Sequence, residues 1–85
     1  MTPPDSTPRV AQPLTALHGG QSATITEIKA PPEHRGRLLE LGLVPGTAVE
    51  LERFALLGDP VEIKVRGYHL TLRRHEAEQI YVRCA

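Results

Sequence analysis

Residues 37–68 read RLLELGLVPGTAVELERFALLGDPVEIKVRGY, and this stretch decides the fold. Its first residues are apolar at helical spacing and stop at Gly42, which predicts a helix with a glycine cap at its C-terminus. The remainder alternates apolar and polar residues in two runs separated by glycine-containing turns, which predicts two half-buried strands. Short strands of this kind are typical of a small β-barrel.

Three turns divide the stretch. Residues 44–47, Val-Pro-Gly-Thr, place Pro and Gly at the two central positions of a type II turn, where Gly supplies the positive φ. Residues 57–60, Leu-Gly-Asp-Pro, form a second turn, and Arg66-Gly67 predicts a tight hairpin. On the return strand the residues predicted to face the core are Tyr68, Leu70 and Leu72.

The alternation slips by one residue at two places. One slip lies near residues 26–27 and the other near residues 52–53, and each predicts a β-bulge that bends its strand. The predicted inward positions are Ala23, Ile25, Ile28 and Ala30 around the first slip, and Val49, Leu51, Phe54 and Leu56 around the second.

The segments outside this region complete a one-domain chain of 85 residues. Residues 1–13 hold four prolines and few bulky apolar side chains, which predicts a disordered tail. Residues 14–85 are then the folded domain, with a helical turn within residues 74–79 and a last strand at Ile80 and Val82. We predict a mainly β barrel of about five short antiparallel strands, with one helix inserted after the first strand.

Composition excludes several classes of protein. Ten basic residues balance ten acidic ones and only three residues are aromatic, so a nucleic-acid binder is not indicated. The sequence has neither a membrane-spanning apolar run nor a signal peptide, and one cysteine cannot form an internal disulfide. We therefore predict a cytoplasmic protein that does not insert into the membrane.

Four segments together resemble the FeoA family. They are residues 37–47 (RLLELGLVPGT), 57–63 (LGDPVEI), 65–68 (VRGY) and 70–73 (LTLR), and the resemblance covers about residues 14–83. It implies an SH3-like barrel in a small cytosolic protein of bacterial ferrous iron uptake. The implied partner is FeoB, the membrane Fe(II) transporter with a cytosolic G-domain, whose transport or GTPase activity it would modulate.

The same domain occurs at the C-terminus of metal-dependent transcriptional repressors. The alternative is therefore a stand-alone relative of that domain, acting as a protein- or peptide-binding regulatory module. The helix-turn-helix and dimerisation parts of such a repressor are absent from this sequence, which favours the transporter accessory. The edge strands of a partly open barrel also allow a weak homodimer.

No catalytic residue, metal site or cofactor is predicted. Gly19-Gly20 lacks the Gly-Lys-Ser/Thr that completes a phosphate-binding loop, and Cys84 lies one residue from the end. The histidines, among them His34, His69 and His75, are scattered without metal-ligand spacing. Two interpretations of them stay open, rim histidines that take up a stray divalent ion or ligands of a functional site.

The apolar residues in the turns are the candidate partner-binding site, and the alternative for each is packing at the barrel end. Arg66, at the hairpin tip, either pairs with Glu50 or Glu62 or acts in trans on the G-domain of the partner. The full predicted set is Leu43, Val44, Pro45, Leu56, Leu57, Gly58, Asp59, Pro60, Arg66, Gly67 and Tyr68.

Overall fold

The computed structural model describes residues 11–84, and within them six strands form one antiparallel sheet. The strands are β1 (Gln12–Pro13), β2 (Ser22–Ile28), β3 (Ala48–Phe54), β4 (Val61–Val65), β5 (Tyr68–Leu72) and β6 (Ile80–Cys84). Their order across the sheet is β1-β6-β2-β3-β4-β5. Helix α1 (Pro32–Glu40) connects β2 to β3, and the single turn α2 (Arg74–Ala77) connects β5 to β6. The predicted mainly β architecture with one inserted helix is confirmed.

The first strand lies inside the segment predicted to be a disordered tail. Gln12 pairs with Val82 and Pro13 with Tyr81, so the folded part begins before residue 14. A proline is tolerated here because β1 is an edge strand, whose outer side needs no ladder hydrogen bond. A two-residue strand has no periodicity that a sequence could reveal. Residues 1–10, the rest of the predicted tail, lie outside the described residues.

Both predicted bulges are present. The register between β2 and β6 shifts between Ile25 and Glu27, and the register between β3 and β4 shifts between Leu51 and Arg53. Each shift moves the alternation to the other phase, which keeps apolar side chains on the inner face of a strongly bent strand.

The core lies on the inner face of the sheet and is closed by α1 and by the turn before β2. Val61, Ile63 and Val65 on β4 are completely buried, and Leu38 is the buried residue of α1. The buried apolar residues are Leu14, Leu17, Ala23, Ile25, Ile28, Leu38, Leu43, Val49, Leu51, Val61, Ile63, Val65, Leu72, Ala77, Ile80 and Val82.

Helix α1 ends in a glycine-capped reversal. The N–H of Gly42 donates to the carbonyl of Leu39, and the N–H of Leu43 donates to the carbonyl of Leu38. This pair of bonds is a Schellman motif, and Gly42 takes the left-handed conformation it requires, with φ of 97°. Leu43 packs in the core beside Leu38, as the residue after such a cap commonly does.

The β4–β5 hairpin leans over this helix end. Tyr68, predicted to face the core, is 42% exposed, and its hydroxyl donates to the carbonyl of Leu41. That carbonyl belongs to the last turn of the helix, where no intrahelical donor is available. The predicted phase is correct, because Tyr68 pairs with the buried Val65 and lies on the same face, but its ring stands at the end of the sheet, where the hydroxyl stays near the surface.

We predict opposite effects for Gly42→Ala and Gly36→Ala, the matched substitution inside α1. A Cβ on residue 42 would lie 2.9 Å from the Tyr68 hydroxyl, and the backbone there has positive φ. Gly42→Ala should lower the free energy of unfolding by about 1–2 kcal/mol or more. Gly36 has open space around its Cβ position, so Gly36→Ala should raise it by about 0.4–1 kcal/mol. Urea denaturation measures both, and equal effects would contradict this account of the cap.

Candidate functional site

Two leucines at the tip of the β3–β4 loop are the most exposed large apolar residues among those described. Leu56 is 86% exposed and Leu57 is 95% exposed. Leu56 was predicted to face inward, and this was wrong because β3 ends at Phe54. Beyond the last residue of a strand the chain turns, and the two-residue period no longer says which way a side chain points. The tip contributes almost nothing to the core.

Leu57 also has a strained backbone. Its φ is 69° and its ψ is 13°, which is the left-handed region that costs a non-glycine residue roughly 1–2 kcal/mol. Strain of this kind persists when the surrounding structure imposes it, and it is often found at binding sites. Here no buried contact of the leucine side chain compensates for the strain, because the side chain points into solvent.

The loop that carries these leucines is braced from behind. The N–H of Ala55 donates to the carbonyl of Pro60 at 2.9 Å, and the N–H of Gly58 donates to the carbonyl of Ala55 at 2.8 Å. Arg74 donates its backbone N–H to Asp59 Oδ1 at 3.0 Å and its guanidinium to the Gly58 carbonyl at 3.3 Å. The tip is therefore a fixed protrusion.

The remaining predicted partner-binding residues lie at the opposite end of the sheet. Val49 pairs with Val65 near the start of β3, whereas Phe54 pairs with Val61 at its end. The 44–47 turn and the Arg66-Gly67 hairpin flank the first end, and the leucine tip flanks the second. The predicted site is therefore two surfaces: the leucine tip at residues 56–60, and the hairpin surface at residues 44–46 and 66–68.

Leu43 belongs to neither surface. Its exposed fraction is 0%, because the capping motif directs it into the core beside Leu38. It was predicted as a partner-binding residue, with core packing as the alternative, and the structure places it in the core. Val44 is half-buried and Pro45 is exposed.

Arg66 makes no ion pair with any residue in the range 11–84. Glu62, one of its two predicted partners, pairs with Arg53 at 3.0 Å. Arg66 has φ of 51° and Gly67 has φ of 87°, which are the two positive values of a tight two-residue hairpin. The arginine is exposed at the hairpin tip.

An open groove of about 470 Å³ lies next to the leucine tip. It was not predicted, because its residues come from four separated elements and share no sequence pattern. Arg37 on α1 forms an ion pair with Glu76 on α2, across this groove. Its lining residues are Arg37, Asp59, Pro60, Thr71, Leu72, Arg73 and Glu76.

The surroundings of Glu76, which lines the groove, shift its pKa. Burial raises the pKa of Glu76, but a hydrogen bond from the Arg73 backbone N–H and the bond and charge of the Arg37 guanidinium outweigh it. The pKa therefore lies below the usual glutamate value. The carboxylate stays ionised and joins α1 to α2.

The described histidines are not gathered into one cluster of potential metal ligands. No group of three or more His, Cys, Asp or Glu side chains within residues 11–84 is arranged to hold a metal ion. His69 has one carboxylate neighbour, Glu52, with 2.7 Å between His69 Nδ1 and Glu52 Oε1. Across the same residues, no helix has the length and apolar character needed to cross a membrane.

Residues 12–84 match the model of the FeoA domain family. The chain belongs to the FeoA family. A curated relative from Porphyromonas gingivalis, described as a fusion of Fe(2+) transport protein A with the Fe(2+) transporter FeoB, is 36% identical over 69 residues. The match covers 81% of this chain and 8% of that relative, so the chain spans a small part of the fusion protein.

Solved FeoA structures share the fold of this FeoA domain. The FeoA protein of Chlorobium tepidum is 45% identical with a TM-score of 0.80, over 86% of this chain and 70% of that one. The FeoA of Stenotrophomonas maltophilia, described as a procaryotic SH3 domain protein and solved with zinc, is 28% identical with a TM-score of 0.74, over 84% and 88%. The predicted SH3-like fold is confirmed.

A repressor shares the fold as well. A manganese-dependent transcriptional repressor solved with manganese gives a TM-score of 0.82 at 20% identity, over 99% of this chain and 38% of that one. At this identity the likeness concerns the fold alone.

We predict that the Arg37–Glu76 pair stabilises this FeoA domain in a pH-dependent way. Because the folded-state pKa of Glu76 is lowered, its contribution is complete above the unfolded-state pKa of about 4.3 and is lost as pH falls through the lower folded value. Glu76→Gln should therefore destabilise the domain more at pH 7 than at about pH 3. Urea denaturation at both pH values measures this. In an Arg37→Gln background the effect of Glu76→Gln should shrink, and an unchanged effect would contradict the pairing.

Proposed function

We propose that this FeoA domain is a non-enzymatic accessory of ferrous iron uptake. It binds the cytosolic part of a FeoB-type transporter and modulates its transport or GTPase activity. It acts in the cytoplasm, and the leucine tip is the anchor of the contact.

The exposure and strain of the leucine tip carry this proposal. Leu56 and Leu57 expose apolar surface, which lowers solubility, and the positive φ of Leu57 costs backbone energy. Neither side chain gains stability by packing in the core of its own chain. A rigid apolar protrusion is suited to fill a pocket on a partner, because little conformational entropy is lost when it binds. Apolar anchors of this kind commonly carry most of the energy of an interface.

The fused relative supports the choice of partner. In the Porphyromonas gingivalis protein an FeoA part and a FeoB transporter are one polypeptide. Fusion keeps two partners at a high effective concentration, so it is consistent with a contact that separate chains form by binding.

The hairpin surface is the second part of the proposed contact. Arg66 projects from it without an ion pair among the described residues, so its charge is available to a partner. Whether an arginine supplied in trans accelerates GTP hydrolysis by the G-domain stays a prediction for Arg66. The repressor-related alternative is supported by fold likeness only, and the transporter accessory is therefore preferred.

We predict that Leu57→Asp abolishes capture of the detergent-solubilised FeoB transporter of the same organism by the immobilised domain. A carboxylate cannot enter an apolar pocket without losing its hydration. Aspartate tolerates the left-handed conformation better than leucine does, so the thermal midpoint should change by less than about 3 °C. A pull-down and a thermal melt measure the two quantities.

Leu39→Asp is the matched control. Leu39 is a partly exposed leucine on α1 and belongs neither to the leucine tip nor to the hairpin surface, so its substitution should leave capture intact. The proposal is contradicted if the wild-type domain captures no transporter. It is contradicted equally if Leu57→Asp retains capture, or if it lowers the midpoint as a core substitution would.

A further inference from the structure

The outer edge of β5 carries backbone groups that no described residue satisfies. The two-residue hairpin makes Val65 and Tyr68 a hydrogen-bonded pair, and such pairs alternate with non-bonded ones along an antiparallel ladder. His69 therefore forms a non-hydrogen-bonded pair with Lys64, and Thr71 forms one with Glu62. The backbone N–H and C=O groups of His69 and Thr71 point away from β4. Neither backbone makes a hydrogen bond elsewhere within residues 11–84.

One of these two positions opens into the groove. Thr71 is exposed and lines it together with Leu72 and Arg73. A free donor and acceptor on an edge strand can add a further strand, and main-chain hydrogen bonds then supply the affinity. The groove gives the side chains of such a segment room beside β5.

The two arginines and the two carboxylates that line the groove differ in their partners. Glu76 already accepts from Arg37 and from the Arg73 backbone N–H, and Asp59 accepts from the Arg74 backbone N–H. The guanidinium of Arg73 is exposed and forms no ion pair with residues 11–84, whereas Arg37 is neutralised by Glu76. Next to the free edge of β5, a segment therefore meets the guanidinium of Arg73, which has no ion pair among the described residues, whereas Asp59 keeps its charge but lies on the β3–β4 loop.

We propose that β5 and the groove bind an extended acidic segment of a partner protein by strand addition. The backbone of the segment bonds to the Thr71 and His69 edge, and one of its carboxylates pairs with Arg73. Asp59 and Pro60 line the groove and also belong to the leucine tip, but the β5 edge and Arg73 do not. The test of this site requires no transporter, so the failure of either proposal is seen without the other.

The probe is a capped eight-residue peptide of alternating valine and glutamate, titrated into the ¹⁵N-labelled full chain. The amide signals of His69 and Thr71 should shift, and the Thr71 amide should exchange with solvent more slowly. The same peptide with lysine in place of glutamate should bind about threefold to fivefold more weakly, as expected for one exposed ion pair. Loss of binding by an N-methylated glutamate peptide tests the backbone bonds without changing the protein.

Variants of the chain test the assignment of the charge. Arg73→Ala should weaken the glutamate peptide about threefold to fivefold and leave the lysine peptide unchanged. Arg83→Ala removes another exposed arginine, on β6, and should change neither.

Four results would overturn the proposal. The first is a set of shifts confined to other residues, and the second is equal binding of the glutamate and lysine peptides. The third is the appearance of the same shifts with inorganic phosphate alone, which would make this an anion site. The fourth is concentration-dependent shifts of His69 and Thr71 without peptide, which would make a second copy of the chain the occupant.

Discussion

The arrangement of this domain depends on the reversal of the chain at Gly42. Only a residue that adopts positive φ readily can follow α1 there, because the motif returns Leu43 to the core within two residues. The 44–47 turn then bonds to Ile25 on β2, through Gly46 N–H to the Ile25 carbonyl and Ile25 N–H to the Thr47 carbonyl. Strand β3 begins directly afterwards. The register of the central strands is thus set by the way the helix ends.

The two ends of the sheet differ in what packs against them. At the first end, Tyr68 closes over the last carbonyls of α1, and the hairpin surface packs on its own helix. At the other end the described contacts of the loop are those of its own backbone and of Arg74, and the side chains of its two leucines are not buried by any residue in the range 11–84. The core is already filled by side chains from every strand longer than two residues, so a small barrel has no place for this pair. The surplus apolar surface is therefore directed outward.

Much of the fold was predictable from local patterns. The phase slips located both bulges, and the helix cap, the Val44–Thr47 turn and the Arg66-Gly67 hairpin follow from residues that favour one backbone conformation. The errors concern positions where tertiary contacts decide. The strand at Gln12–Pro13 exists only through its pairing with β6, and the partial exposure of Tyr68, whose face was predicted correctly, accompanies a hydrogen bond to a carbonyl 27 residues away. Leu43 and Leu56 looked equivalent as loop leucines, yet one is buried and the other exposed.

The candidate site was also predictable only as far as local sequence patterns reach. The apolar turn residues stood out in the sequence, but their division between two ends of the sheet requires the register of β3 with β4. The groove could not be predicted, since Arg37, Thr71 and Glu76 become neighbours only in the folded chain. The type of hairpin determines which backbone groups of β5 face outward. A sequence pattern of apolar and polar side chains does not show these groups.

Ferrous iron uptake by living cells tests the central claim that the leucine tip serves a partner and not the fold. A strain lacking this chain would be complemented with the wild type or with Leu57→Asp, with equal amounts of soluble protein verified by immunoblot. The account predicts that the wild type restores radiolabelled Fe(II) uptake under anaerobic conditions and that Leu57→Asp leaves uptake at the level of the deletion. Full restoration of uptake by Leu57→Asp would contradict it.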